Sequence, residues 1–185
     1  KRLKVIKTPN KNASTIIISG DSDCDGHEDL QKKLENWKYN WVYIDHCLDR
    51  LRKGFDINRI RHTDEVTVDL RVYDIMKTVE WLTEKSWFNK KVVVTGFAQG
   101  GSAVNAVVDK PSLERVASIY SFPFELVNYI KGGVSYYPFC QVQRVSKRPA
   151  ISHLVQVAGK DRFDDDFKGC GEKKSRSSNF LEIAV

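Results

Sequence analysis

The chain of 185 residues is 41% hydrophobic and 11% aromatic, one domain's length with enough apolar content to bury a core, which excludes wholesale disorder. Its longest apolar run, "STIIISG", is strand-sized and far short of the roughly 20 residues of a membrane-spanning helix. The net charge of +6 is scattered, with small clusters at Lys1–Lys7 and Lys173–Arg176. It reads as a solvated basic surface, with attraction to an anionic envelope surface as the alternative; no P-loop, zinc-finger spacing or stacking-aromatic motif argues for nucleic acid.

Taken in chain order, residues 1–14 are a lead-in to a single domain over 15–185. "TIIIS" (Thr15–Ser19) and "WVYI" (Trp41–Ile44) are short continuous apolar runs, the pattern of strands buried on both faces. Between them, Asp29–Lys38 carries Leu30, Leu34 and Trp37 at helical spacing. Further on, Val72, Ile75, Met76, Val79 and Leu82 form one apolar stripe of an amphipathic helix, with Thr63 or Asp64 available as N-cap. Strand Lys91–Thr95 then leads through a glycine turn into a helix of small residues that ends near Asp109. Over Pro111–Lys131 the pattern is weak, with Leu113–Ile119 readable as helix. Gly132–Phe139, Ile151–Gly159 and Leu181–Val185 are the remaining strands. Such alternation of strand and helix predicts an α/β fold, a mainly parallel sheet flanked by helices on both faces in three layers. The apolar "NFLEIAV" has no closing turn, as expected of a domain trimmed at its C-terminal end.

The stretch "VVVTGFAQGGSAV" (Val92–Val104) places β-branched residues before Gly-x-x-x-Gly and small residues after it. That strand–turn–helix context resembles the nucleophile elbow of α/β-hydrolases, and more narrowly the dienelactone hydrolase family. "VSYYPFC" (Val134–Cys140) resembles the family's next strand, which often ends in Tyr-Pro and a cysteine. "LVQVAGKDRFDDDFKGC" (Leu154–Cys170) resembles the strand whose Gly-x-x-Asp turn carries the triad acid. By this resemblance the nucleophile position is Ala98, the acid position is Asp161, and Gln99 supplies an oxyanion N–H. The other oxyanion N–H comes from the turn after the first buried strand, His-Gly in many such hydrolases and Ser19-Gly20 here. The family's histidine follows the last strand, beyond Val185. A methyl group at position 98 cannot be acylated.

None of the four histidines fits the family's order of nucleophile, acid and histidine. His27 and His46 follow early strands at the sheet's carboxyl edge, His62 precedes a helix, and His153 lies inside a strand, where a structural role is expected. Ser102 falls one turn into the helix after Ala98 and reads as a helix-face serine bonded to its own backbone. In "DSDCDGHED", Asp21, Asp23, Asp25 and Gly26 match the first half of a calcium loop, but its twelfth position is Lys32, so an acidic turn is expected and no metal site is assigned. Asp164–Asp166 lacks ligand spacing altogether, and no cofactor motif is present.

The four cysteines, Cys24, Cys47, Cys140 and Cys170, contain no C-x-x-C. Chain order suggests the pairs Cys24–Cys47 and Cys140–Cys170, and envelope and secreted relatives of the resembled family carry cysteines like the second pair. Two disulfides would place the chain in the periplasm or outside the cell; buried thiols in the cytoplasm are the alternative. Two functions stay open. One is a catalytically inactive binding or structural subunit with a protein partner, its surface marked by any exposed member of Trp37, Trp41, Trp81 and Trp87. The other is a serine ester, thioester or lactone hydrolase with its nucleophile replaced by Ala98, which admits a small ester-like ligand.

Overall fold

The computed structural model describes residues 3–20, 28–46, 65–138, 149–157 and 180–184. Through them runs a seven-stranded sheet of order β1-β3-β2-β4-β5-β6-β7. The strands are β1 (Leu3–Val5), β2 (Thr15–Ser19), β3 (Asn40–Ile44), β4 (Val92–Phe97), β5 (Ile130–Tyr136), β6 (Ser152–Val157) and β7 (Phe180–Ala184). Only β1 is antiparallel, pairing Leu3 with Ile44 and Val5 with Val42. The stretch expected to be a lead-in therefore contributes an edge strand; three residues are too few to show a period in sequence.

The chain lays β3 on one side of β2 and then returns to place β4 on the other. Strand order reverses at that point. Parallel sheets bind ligands in the crevice at such a reversal, outside the carboxyl ends of the strands. Here the reversal lies between Ser19, last residue of β2, and its register partner Gly96 on β4.

Helices α1 (Glu28–Asn36), α2 (Glu65–Thr83), α3 (Gln99–Val108) and α4 (Lys110–Tyr120), with a 3₁₀ helix at Phe124–Tyr129, complete the described elements. Alternate residues of β2 face opposite layers. Ile17 joins Val42, Val92 and Val94 beneath α2 and α3, whereas Ile18 joins Trp41 and Tyr43 against Leu34 of α1. Both faces are thus covered, as continuous apolar strands require. The predicted stripe Val72, Ile75, Met76, Val79 and Leu82 is fully buried, while the suggested caps Thr63 and Asp64 lie outside the described residues. No helix among the described residues is long and apolar enough to cross a membrane.

One local reading needs correction, and another extends. Helix α1 stops at Asn36 and not at Lys38, because the Lys38 N–H bonds to the Glu35 carbonyl and the Tyr39 N–H to the Leu34 carbonyl. This is a Schellman stop with Lys38 in the left-handed region, at φ 61. Trp37 consequently leaves the apolar stripe and is 63% exposed. The weak segment after Asp109 contains a full helix. Asp109 ends α3 and caps α4, its carboxylate accepting from the Ser112 N–H at 3.1 Å and the Ser112 hydroxyl at 2.6 Å. Pro111 occupies the first turn, where a missing N–H is harmless. Arg115 of α4 then grips Asp69 of α2 through two nitrogens at 2.5 and 2.7 Å.

Replacing Asp109→Ala removes the side-chain cap of α4. Urea unfolding should show a loss of about 1 kcal/mol with unchanged m.

Candidate functional site

At the carboxyl end of β4 the chain turns sharply through Ala98 into α3. Ala98 holds φ 49 and ψ −115, a conformation that costs an L-residue on the order of 1–3 kcal/mol. Its N–H donates to the Tyr136 carbonyl at 3.0 Å, and its carbonyl accepts from the Ser102 N–H at 3.0 Å. The turn closes because two neighbours lack side chains. A Cβ on Gly96 would lie 2.3 Å from the Gly100 carbonyl, and one on Gly100 would lie 2.2 Å from the Ser19 carbonyl oxygen. Backbone from β4, α3 and the β2 corner is therefore in direct contact. This is the strained strand-to-helix corner on which hydrolases carry a nucleophile, and here it carries a methyl group.

Ser102 is buried, and its hydroxyl lies 3.4 Å from the Ala98 carbonyl, as its helix position predicts. Gln99 is buried too, and its side-chain oxygen accepts from Arg71 Nη2 at 3.2 Å. Arg71 Nη1 donates to the Gly20 carbonyl at 2.7 Å. One guanidinium, only 1% exposed, thus ties the corner after β2 to the first residue of α3. A buried cation is sustained only where its donors meet good acceptors, so Arg71 belongs to the architecture of this corner.

Three side chains that sequence spacing did not bring together form a buried chain beside it. The Ser19 hydroxyl is 2.9 Å from His46 Nε2, and His46 Nδ1 is 2.7 Å from an oxygen of Asp74. Ser19 ends β2, His46 follows β3, and Asp74 sits one turn after Arg71 on α2. The partners are 27 and 28 residues apart, a separation no short motif spans. The only sequence signal was the place of Ser19 and His46 after adjacent strands.

His153 lies within β6 and is buried, its Nε2 2.9 Å from the Ser135 hydroxyl, which also lies 2.8 Å from Asn105 Oδ1. Burial pushes its pKa down to about 4. Trp41 is buried with its indole N–H on Glu35, and Trp81 packs edge-on against Trp87. The acid position Asp161, the cysteines Cys24, Cys47, Cys140 and Cys170, the acidic loop Asp21, Asp23 and Asp25, and His27 and His62 lie outside the described residues. Among the described residues no cluster of His, Cys, Asp and Glu could hold a metal.

Solved structures share this fold. A dienelactone hydrolase from Anabaena variabilis superposes with a TM-score of 0.61 at 13% identity, covering 100% of this chain and 87% of that one. The Bacillus cereus carboxylesterase gives 0.61 at 13%, covering 99% and 82%. Thermogutta terrifontis esterase 2 gives 0.60 at 12%, covering 98% and 77%. The chain has the α/β-hydrolase fold. No family model and no curated protein matches it by sequence. Identity this low speaks for the α/β-hydrolase frame alone, since one frame hosts many chemistries.

Two measurements probe the geometry. Gly100→Ala should cost about 3 kcal/mol or more by urea unfolding, because its Cβ meets backbone that cannot give way. Gly132→Ala, whose nearest contact would be 3.6 Å, should be tolerated far better. His153 is neutral in the fold above about pH 4, whereas the unfolded chain protonates near 6.5. Its contribution to stability is therefore complete above pH 6.5 and lost as pH falls towards 4. Proton NMR should find its ring signals unmoved between pH 7 and about pH 5; a midpoint near 6.5 would contradict the burial.

Proposed function

We propose that this chain is inactive at its elbow and works there by binding, as a protein of the hydrolase fold that keeps the frame without the nucleophile. The observation that carries this reading is Ala98, which holds the strained corner at φ 49 while presenting only a methyl group. No oxygen or sulfur stands at that position to attack a carbonyl. Ser102 does not replace it, being buried on the first turn of α3 and directed at its own backbone. The exposed Trp37, next to the half-exposed Tyr39, supplies an aromatic patch suited to a protein partner.

A second reading has support from the same corner. Its left-handed turn and Cβ-free contacts are what a nucleophile needs, so an ester, thioester or lactone hydrolase with the nucleophile replaced would look the same here. The two separate on one experiment. Full-length protein is treated with p-nitrophenyl acetate and digested, and the peptide spanning 92–109 is weighed. The binding reading expects no acetyl group on that peptide in the parent or in Ala98→Ser. An acetylated elbow in Ala98→Ser, with turnover, would favour the disabled enzyme.

An envelope or secreted location belongs to the same proposal and depends on the cysteine pairs. Intact mass before and after reduction tests it: each disulfide makes the oxidised chain lighter by two hydrogens. A mass unchanged on reduction would return the protein to a reducing compartment.

A further inference from the structure

The corner beside the elbow holds the three functional groups that the elbow lacks. Ser19, His46 and Asp74 are linked in the connectivity of a charge-relay triad, hydroxyl to Nε2 at 2.9 Å and Nδ1 to carboxylate at 2.7 Å. Their elements differ from those of the elbow arrangement: strand β2, the turn after β3, and helix α2. A structural role alone asks only that each polar atom find a partner, and any donor–acceptor order would serve. Here the order is hydroxyl, imidazole, carboxylate, with the carboxylate anchored on a helix whose Thr78 hydroxyl bonds the Asp74 carbonyl at 2.8 Å.

Location and electrostatics add to connectivity. Ser19 is the last residue of β2 and pairs with Gly96, so it stands at the strand-order reversal, where open α/β sheets place their reacting groups. Arg71, one turn from Asp74 on α2, bonds the carbonyl of Gly20, the residue that follows Ser19. Arg71 thus brings a buried positive charge against the residue next to Ser19. The geometry points to Ser19, His46 and Asp74 as a second acyl-accepting site, with Ser19 the nucleophile, His46 the base and Asp74 its orienting carboxylate.

In the step this implies, the Ser19 oxygen bonds to the acyl carbon as its proton passes to His46 Nε2. Asp74 stays ionised and supports the imidazolium. Collapse breaks the bond to the leaving alcohol, which takes the proton from His46. Water activated by the same ring then releases the acid and restores Ser19. The set is deeply placed, with Ser19 at 0%, His46 at 4% and Asp74 at 7% exposure. Reaching a hydroxyl this deep makes capture slow.

This inference goes beyond the elbow reading, and the position of a covalent adduct distinguishes the two. Wild-type full-length protein is incubated with diisopropyl fluorophosphate at pH 8 and digested, and the adduct is located by tandem mass spectrometry. Phosphorylation would form the Ser19 oxygen–phosphorus bond and expel fluoride, the proton passing to His46. The expected result is an adduct on Ser19, formed about 100-fold more slowly in folded His46→Gln. Absence of an adduct on Ser19 in the folded wild-type protein overturns the proposal. So does an adduct found only elsewhere, on Ser102 for example, or labelling of Ser19 that is unchanged in His46→Gln.

Discussion

The site depends on a contact in which no side chain takes part. Gly96 meets the backbone of Gly100, and Gly100 meets the carbonyls of Ser19 and Gly20, each at a distance that would leave an added Cβ within 2.5 Å of its neighbour. Strand β4, helix α3 and the corner after β2 are brought to backbone separation, and the direction of α3 across the sheet follows. With that direction fixed, Val104 and Val107 reach the core layer shared with α2, and Gln99 comes within reach of Arg71. A single methyl group at Gly96 or Gly100 would force this corner apart. The constraint is steric, and it is indifferent to whether residue 98 carries an oxygen.

Around that contact the fold gathers buried polar groups in the layer between the sheet and α2. Arg71 spans the two backbone corners, and the Ser19–His46–Asp74 chain ties β2 and β3 to the same helix. Helix α2 therefore does two jobs along its length. Val72, Ile75, Met76, Val79 and Leu82 bury its apolar stripe, while Arg71 and Asp74 serve the carboxyl edge of the sheet. Polar groups this deep make a dry environment in which charge interacts strongly, which suits either rigid architecture or chemistry. Their linkage order, hydroxyl to imidazole to carboxylate, favours chemistry.

Much of the frame was legible from residues alone because its signals are local. The stripe on α2 repeats with the helical period, and "VVVTGFAQGGSAV" carries strand, turn and helix within thirteen positions. Signals failed where the deciding interaction was short or distant. Trp37 fits the α1 stripe by spacing, yet the backbone stop at Lys38 turns it outward. Asp109 serves two helices at once, so no loop of turn-forming residues separates α3 from α4. Ser19, His46 and Asp74 are joined across strand β3 and helix α2, and their meeting is a product of topology that no spacing rule contains. The histidine expected in strand β6 and the serine expected on the first turn of α3 did follow from local position, and both are buried there.

The central claim is that the corner retains backbone strain although residue 98 carries only a methyl group. Ala98→Gly measures that strain directly, because glycine adopts φ 49 and ψ −115 without a Cβ penalty while the unfolded chain gains freedom. Equilibrium urea unfolding of the parent and the variant should show the glycine protein more stable by about 1 kcal/mol, the strain relieved outweighing the added entropy of the unfolded chain. A glycine protein less stable than the parent would mean that Ala98 sits unstrained, and that the elbow frame is not held as described.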